Sequence, residues 1–316
     1  MTILVTGSAG HLGEALVRTL RARKIAAVGI DLLPSPFTDV VGSIVDRATV
    51  ASSMRGVTAV LHAATLHKPH VASHARQAFV DVNVTGTLNL LEEALAQRVD
   101  AFIYTSTTSS FGDALTPPAG AAAAWITEDV IPIPKNIYGV TKVAAEDLCQ
   151  LFHRNHALPC LVLRTSRFFP EEDDVLERRD AFHEENLKVN ELLYRRVDIE
   201  DVVSAHLCAL DKVGTLGFGR YIISATTPFT RADAAELGRD AAAVLGRHVP
   251  EFPSVYAARG WTMLPTLDRV YDNGRARRLL GWQPRYDFRS ALAAVAAGGD
   301  WRSPLTREVG AKGYHR

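Results

Sequence analysis

A phenol and an ammonium four residues apart, in Tyr138-Gly139-Val140-Thr141-Lys142, share one face of any helix that carries them. A cation beside a phenol favours the phenolate and lowers its pKa, which lets Tyr138 take a proton from an alcohol while hydride leaves the same carbon. A solvated helix face is the other reading of that spacing. At the amino terminus, Thr2-Ile3-Leu4-Val5-Thr6 runs into Gly7, Gly10 and Gly13, spaced G-x-x-G-x-x-G. Gly7 permits a tight turn, Gly10 lets backbone N–H groups approach a pyrophosphate, and Gly13 lets the next helix pack close to the strand. His11 and Leu12 stand at the start of that helix, whose unpaired amides and positive end hold the anion. An acid–base pair and a dinucleotide cradle together point to hydride transfer.

A second strand, Ile25 to Ile30, ends at Asp31, 18 residues after Gly13. A carboxylate there accepts the adenosine ribose hydroxyls and repels a 2′-phosphate, and Leu32-Leu33 supply no cation, so the cofactor expected is NAD rather than NADP.

The elements that must position these groups recur regularly. Apolar runs at Ala59–His62, Ala101–Tyr104 and Cys160–Leu163 read as buried strands, and amphipathic stretches at 76–97 and 140–156 read as the helices between them. This alternation predicts an α/β doubly wound parallel sheet of the Rossmann type, with a smaller carboxyl-terminal substrate lobe. The segment 114–124, with Pro117-Pro118, reads as a loop insertion. Residues 1–165, with strands returning from about 196–224, form the expected dinucleotide-binding domain; 166–195 and 225–316 form the lobe. Tyr221-Ile222-Ile223 is expected to return a strand to the sheet, and a last helix is expected near 290–297.

At 316 residues, with 35 Lys+Arg against 35 Asp+Glu, the chain has no net charge to attract nucleic acid or an anionic membrane. Partners are expected to be small molecules or further subunits. Three cysteines, Cys149, Cys160 and Cys208, lie in apolar contexts that suit reduced thiols. The first residues already read as a strand rather than a leader, and no apolar run reaches membrane-spanning length, so the expected location is cytoplasmic.

Several motifs in order resemble the extended short-chain dehydrogenase/reductase superfamily, the NAD-dependent epimerase/dehydratase group. Thr6–Gly13 resembles its cofactor motif, His62-Ala63-Ala64 its third-strand motif, Asn83 its kinked-helix Asn, and Tyr138 with Lys142 its catalytic pair. The resemblance implies that Ala63 lies at the cofactor, that Lys142 also holds the nicotinamide ribose, and that Asp46 binds the adenine amine, a loop cap being the alternative for Asp46. The run Tyr104–Gly112 resembles the hydroxyl-rich segment in which Thr107 bonds the reacting oxygen; a hydroxyl can donate or accept there. In sugar 4,6-dehydratases an Asp-Glu pair follows that Thr, whereas Thr108-Ser109 follow it here, which disfavours elimination of water. Arg196–Val203 and Asn273–Pro284 also resemble family signatures, structural rather than catalytic. After Leu163-Arg164, however, the family's Asn and Tyr-Gly-Pro turn is replaced by Thr165–Asp174. Its four carboxylates, Glu171, Glu172, Asp173 and Asp174, would repel a sugar diphosphate if they faced the pocket; a solvated turn is the bland alternative.

Ligands of open α/β sheets bind beyond the carboxyl ends of the strands. His67 and Lys68, Thr108, Arg164 and Arg167 follow those ends and are the candidate substrate residues. His70 and His74 have helical ligand spacing, but no further ligand stands nearby in sequence and no metal is expected. The reading is an NAD-dependent enzyme acting at a secondary alcohol carbon of a sugar or nucleotide sugar, with an epimerase of the 4-epimerase type favoured. The alternatives are an NAD-dependent dehydrogenase of a free sugar, sugar acid or polyol, and a non-catalytic NAD-binding sensor. Related proteins pair the two amphipathic helices into a four-helix bundle, so a homodimer is expected.

Overall fold

A computed structural model describes residues 1–118, 120–172 and 176–313. Nine strands are present among them: β1 (Thr2–Thr6), β2 (Ala26–Asp31), β3 (Val40–Val41), β4 (Ala59–His62), β5 (Ala101–Thr107), β6 (Ala124–Ile126), β7 (Cys160–Thr165), β8 (Phe218–Ile223) and β9 (Arg269–Tyr271). Seven form one parallel sheet in the order β3-β2-β1-β4-β5-β7-β8. The chain winds outward from β1 to β3 and then returns to β4, so the strand order reverses between β1 and β4. This is the switch point at which a ligand crevice opens beyond the carboxyl ends.

Both faces of the sheet are covered, which is why its strands read as apolar runs rather than alternating ones. Ile3, Val5, Leu61, Ile103 and Leu163 pack with Leu12 and Leu16 of helix His11–Ala22 and with Val202 and Val203 of helix Ile199–Leu216. Leu4, Val60, Phe102, Tyr104 and Val162 pack on the opposite face with Leu90 and Leu91 of helix Gly86–Ala96 and with Ala145 and Cys149 of helix Ile137–His156. Tyr221–Ile223 does return to the sheet, as the outer end of β8. Beyond the sheet, a second apolar core joins residues 189–194 to Phe229, Leu245, Tyr256, Trp261, Phe288 and Trp301. The helix expected near 290–297 spans Phe288–Ala296, capped by Asp287 accepting from Ser290 N at 2.9 Å, but it is not the last, since Pro304–Val309 is helical beyond it.

Two expectations are corrected. The stretch 76–97 is not one regular helix: Arg76–Phe79 is α-helical, Val80–Thr85 makes a wide π turn, and regular helix resumes only at Gly86–Ala96. The insertion 114–124 is not wholly loop, because Ala124–Ile126 pairs in parallel with Arg269–Tyr271 as a separate two-stranded sheet. Ala119, within that insertion, lies outside the described residues.

The glycine turn sits where it must. Gly7 has φ +72°, and a Cβ there would meet Ala64 N at 2.8 Å. A Cβ on Gly13 would lie 1.9 Å from the Gly7 carbonyl oxygen. Helix and turn are therefore in direct backbone contact. Gly13→Ala is expected to lower the thermal midpoint through a backbone clash of about 1–3 kcal/mol and to weaken NAD binding at least tenfold; calorimetric titration of the folded fraction checks it.

Candidate active site

The turn between β1 and its helix presents a helix end with no side-chain cap. Gly10 is the N-cap residue, extended at φ −77° and ψ 171°, and as a glycine it has no side chain with which to cap the amides behind it. Those amides, the close Gly7–Gly13 approach and the positive helix end fit a pyrophosphate. Asp31, at the end of β2, accepts from Ala9 N at 3.0 Å and from Leu33 N at 2.9 Å, which aims its carboxylate along the edge of this turn. Asp46 is exposed and caps helix Arg47–Ser53 through Ala48 N at 3.1 Å, and its hydrogen bonds lower its pKa. The capping alternative for Asp46 is thus realised.

A buried hydrogen-bond chain fixes the third-strand motif against this turn. Ala63 and Ala64 donate their N–H groups to Thr6 Oγ1 at 3.1 and 3.0 Å. The Thr6 hydroxyl must then donate to His62 Nδ1, 2.7 Å away, so the His62 proton lies on Nε2 and reaches Thr87 Oγ1 at 2.9 Å. Thr87 passes its own proton to the Asn83 carbonyl at 2.7 Å. Burial, with the charge of Lys142, pushes the His62 pKa far down, which keeps the ring neutral. Asn83, inside the π turn, accepts from Leu66 N at 2.9 Å and donates to Leu66 O and Thr141 Oγ1, both at 3.0 Å. It thereby ties the loop after β4 to the helix that carries Tyr138 and Lys142.

That helix, Ile137–His156, starts at Asn136, whose side chain accepts from Gly139 N at 3.0 Å. The cap places Tyr138 and Lys142, both buried, under the end of β5. Tyr138 is hydrogen-bonded to Thr107. Lys142 Nζ donates to the Thr105 carbonyl at 2.7 Å and sits 4.2 Å above the Tyr104 ring. Thr107 closes β5 and accepts from Ser109 N at 3.1 Å. The three residues expected to carry the chemistry are thus brought to one strand end.

Their acidities correct the expectation. The Tyr138 phenol is not made acidic by the ammonium: burial pushes it up to about 12, against the opposing effect of the Thr107 hydrogen bond. Lys142 is engaged by a carbonyl and a ring instead, and burial lowers it to about 7, partly offset by Glu146 and Cys149. The phenol therefore begins as a neutral acid.

Glu146, one turn beyond Lys142, is the functional neighbour that sequence reading missed. Fully buried, it accepts from Ser106 Oγ at 2.6 Å, from Arg164 Nη2 at 2.7 Å and from Arg220 Nε at 3.0 Å. Its i+4 spacing from Lys142 was the available signal. Arg164, a candidate substrate residue, is committed to this carboxylate and lies 4.9 Å above the Phe111 ring. Thr108 is buried, with Oγ1 3.4 Å from Thr165 O. Lys68 is exposed at the start of the 3₁₀ turn Lys68–Ala72. His67 is buried and stacks on Phe169 at 5.3 Å. Arg167 lines a partly open cleft with Phe182, Lys188, Glu191 and Arg196. Glu191 is held well below the usual carboxylate range by Arg196, Arg195 and Arg167 despite its burial.

The bland reading of the acidic turn fails for Glu171, which is buried against His11 at 3.0 Å rather than solvated. Asp173 and Asp174 lie outside the described residues. Among the described residues no group of three His, Cys, Asp or Glu side chains is gathered as metal ligands, and no helix is long and apolar enough to cross a membrane.

The pattern of the NAD dependent epimerase/dehydratase family matches residues 3–223, from the first strand to the last strand of the large sheet. The chain belongs to the NAD-dependent epimerase/dehydratase family. As a family member it is an NAD-dependent enzyme, and the glycine cradle fits that cofactor. It is 28% identical to the UDP-glucose 4-epimerase of Rhizobium meliloti (strain 1021), over 95% of this chain and 97% of the relative. It is 27% identical to a dTDP-glucose 4,6-dehydratase of Streptomyces antibioticus, over 95% and 92%. A short-chain dehydrogenase/reductase superfamily protein from Agrobacterium tumefaciens, solved with bound NAD, shares the fold with a TM-score of 0.68, 24% identity and coverage of 98% and 99%. UDP-glucuronic acid 4-epimerase from Bacillus cereus, in complex with NAD, does so with a TM-score of 0.64, 22% identity and coverage of 96% and 100%.

In this member of the family, Lys142 carries a stability cost with a definite pH dependence. Because its pKa falls to about 7 in the folded chain, the unfolded chain binds more protons between that pH and the ordinary lysine value. The cost is full below the folded pKa and is relieved as pH rises through that window. Lys142→Met is expected to melt higher than the parent at pH 7, with the gap narrowing toward pH 10; thermal melts at the two pH values check it.

Proposed function

We propose that the protein is a nucleotide-sugar epimerase of the 4-epimerase type. The observation that carries this is the set Thr107, Tyr138 and Lys142 gathered at the end of β5, with Thr108 and Ser109 standing where a dehydratase requires an acid and a base. Hydroxyls cannot replace a positioned carboxylate pair in eliminating water. In the assignment proposed, Gly7, Gly10, Gly13 and the amides of His11 and Leu12 hold the pyrophosphate, Asp31 holds the adenosine ribose, and Ala63 lies along the cofactor. Asp46 is assigned to the adenine amine, in addition to its cap.

Bound NAD supplies the hydride acceptor and, in its oxidised form, a positive charge. Thr107 orients the reacting hydroxyl, and Lys142 binds the nicotinamide ribose; the positive charge of the oxidised cofactor would favour the Tyr138 phenolate, which then takes the proton of that hydroxyl. The same phenol returns the proton when hydride comes back to the opposite face of the keto sugar. Thr108, Arg167, His67 and Lys68 remain the proposed substrate contacts; Arg164 contributes by holding Glu146. The second apolar core is proposed as the body of the substrate lobe.

One observation favours a second reading, an NAD-dependent dehydrogenase of a free sugar, sugar acid or polyol. The family's Tyr-Gly-Pro turn after Arg164 is replaced, and its Glu171 turns toward the cofactor helix. The intact Thr107, Tyr138 and Lys142 set speaks against a sensor without turnover. NMR of UDP-sugars incubated with the enzyme, in parallel with NADH absorbance on free sugars and sugar acids, tests the assignment. Inversion at C4 without net NADH is expected, and steady NADH formation from a free sugar would overturn it. Tyr138→Phe is expected to lose at least about a hundredfold in turnover while still binding NAD, as read by calorimetry.

We also propose a homodimer built on helix Ile137–His156 and the helical stretch before it. Val140 and Leu151 are 50% and 39% exposed on that helix, an apolar face that suits a second copy. Sedimentation equilibrium is expected to give twice the chain mass, and Val140→Glu with Leu151→Glu to shift it toward monomer.

A further inference from the structure

The turn after β7 departs from the family pattern in Phe168-Phe169-Pro170-Glu171-Glu172, and the departure is directed at the cofactor helix. Glu171 Oε1 lies 3.0 Å from Nε2 of His11, the first residue of the helix behind Gly10. The same oxygen accepts from Lys312 N at 2.8 Å, and the Lys312 ammonium pairs with Glu14 in the first turn of that helix. Glu14 in turn pairs with Arg18 at 2.7 Å. Phe169 packs edge-on against His11 and stacks on His67, with ring centroids 5.3 Å apart in both cases.

The His11–Glu171 contact is nearly closed to water, its side chains 1% and 7% exposed. Burial alone would raise the Glu171 carboxyl, yet His11 and the backbone amides hold it down at about 2, so it is ionised throughout the working range. A fixed anion at a helix amino terminus is also stabilised by the helix dipole. Two segments remote in sequence, Phe168–Glu172 and the stretch reaching Lys312, are thereby fastened to the start of the helix whose amides suit the pyrophosphate. Movement of either segment away from that helix must first break a buried, charge-assisted contact.

We propose that Glu171, His11 and Lys312 form a clasp that slows departure of the bound dinucleotide, so that reduced cofactor stays until its hydride returns. Its purpose rests on the epimerase reading. Its action does not, because cofactor release needs no substrate.

The test is release of NADH from the full chain, followed by loss of its fluorescence after mixing with excess NAD. Glu171→Gln keeps the shape and removes the charge. It is expected to release NADH at least about tenfold faster, the order of one hydrogen bond to a charged group. Lys312→Ala, at a side chain 22% exposed, is expected to accelerate release by a smaller factor. Unchanged release in Glu171→Gln overturns the proposal. Slower release also overturns it, since it would mean that the carboxylate only repels the pyrophosphate. Should Glu171→Gln fail to melt cooperatively, Lys312→Ala decides, and unchanged release there overturns the clasp. Faster release with no sugar inverted would remove the epimerase reading and leave the clasp; inversion with unchanged release would do the reverse.

Discussion

One buried carboxylate, Glu146, is the contact around which β5, β7, β8 and the helix carrying Tyr138 and Lys142 are organised. A single side chain from helix Ile137–His156 reaches Ser106 on β5, Arg164 on β7 and Arg220 on β8. An ion pair so deeply desolvated is weak evidence for net stability, but leaving one partner unpaired is expensive. Such a network therefore restricts geometry more than it strengthens the fold. Ser106 precedes Thr107, and Lys142 lies one turn before Glu146, so the hydroxyl and the ammonium inherit their positions from the same anion.

The acidities follow from that arrangement. A protein interior penalises whichever form of a group is charged: it lifts Tyr138 to about 12 and lowers Lys142 to about 7. Burial thus biases both groups toward their uncharged forms. The neutral His62, sealed between Thr6 and Thr87, adds rigidity without adding charge.

The fold was legible where its signals were local. Gly7, Gly10 and Gly13 announced the turn, Asp31 the end of β2, and unbroken apolar runs the strands buried on both faces. The pairing of Ala124–Ile126 with Arg269–Tyr271 was not legible, since three residues are too few for a periodic pattern and their partner lies far along the chain. For the site, Tyr138 and Lys142 were readable from spacing, and Thr107 from resemblance. For Arg164, the position at a strand end is visible in sequence, whereas the buried anion that engages it is not. Glu171 was misjudged because a run of carboxylates looks solvated until the fold supplies an imidazole and a buried amide.

The wide turn at Val80–Thr85 has a consequence for how this family member can tolerate change in length. An α-helix advances about 100° per residue, and a π turn accommodates one residue more than the regular ladder would. In regular helix the loss of one residue would rotate the flanking segment by that angle, but here it would let the α ladder run unbroken while the helix on either side kept its phase. What would be lost is the bulge itself, and with it the local backbone that carries Asn83 to Leu66 and Thr141. The bulge thus stores one residue of length inside a helix, spent on aiming a single buried amide rather than on the helix axis.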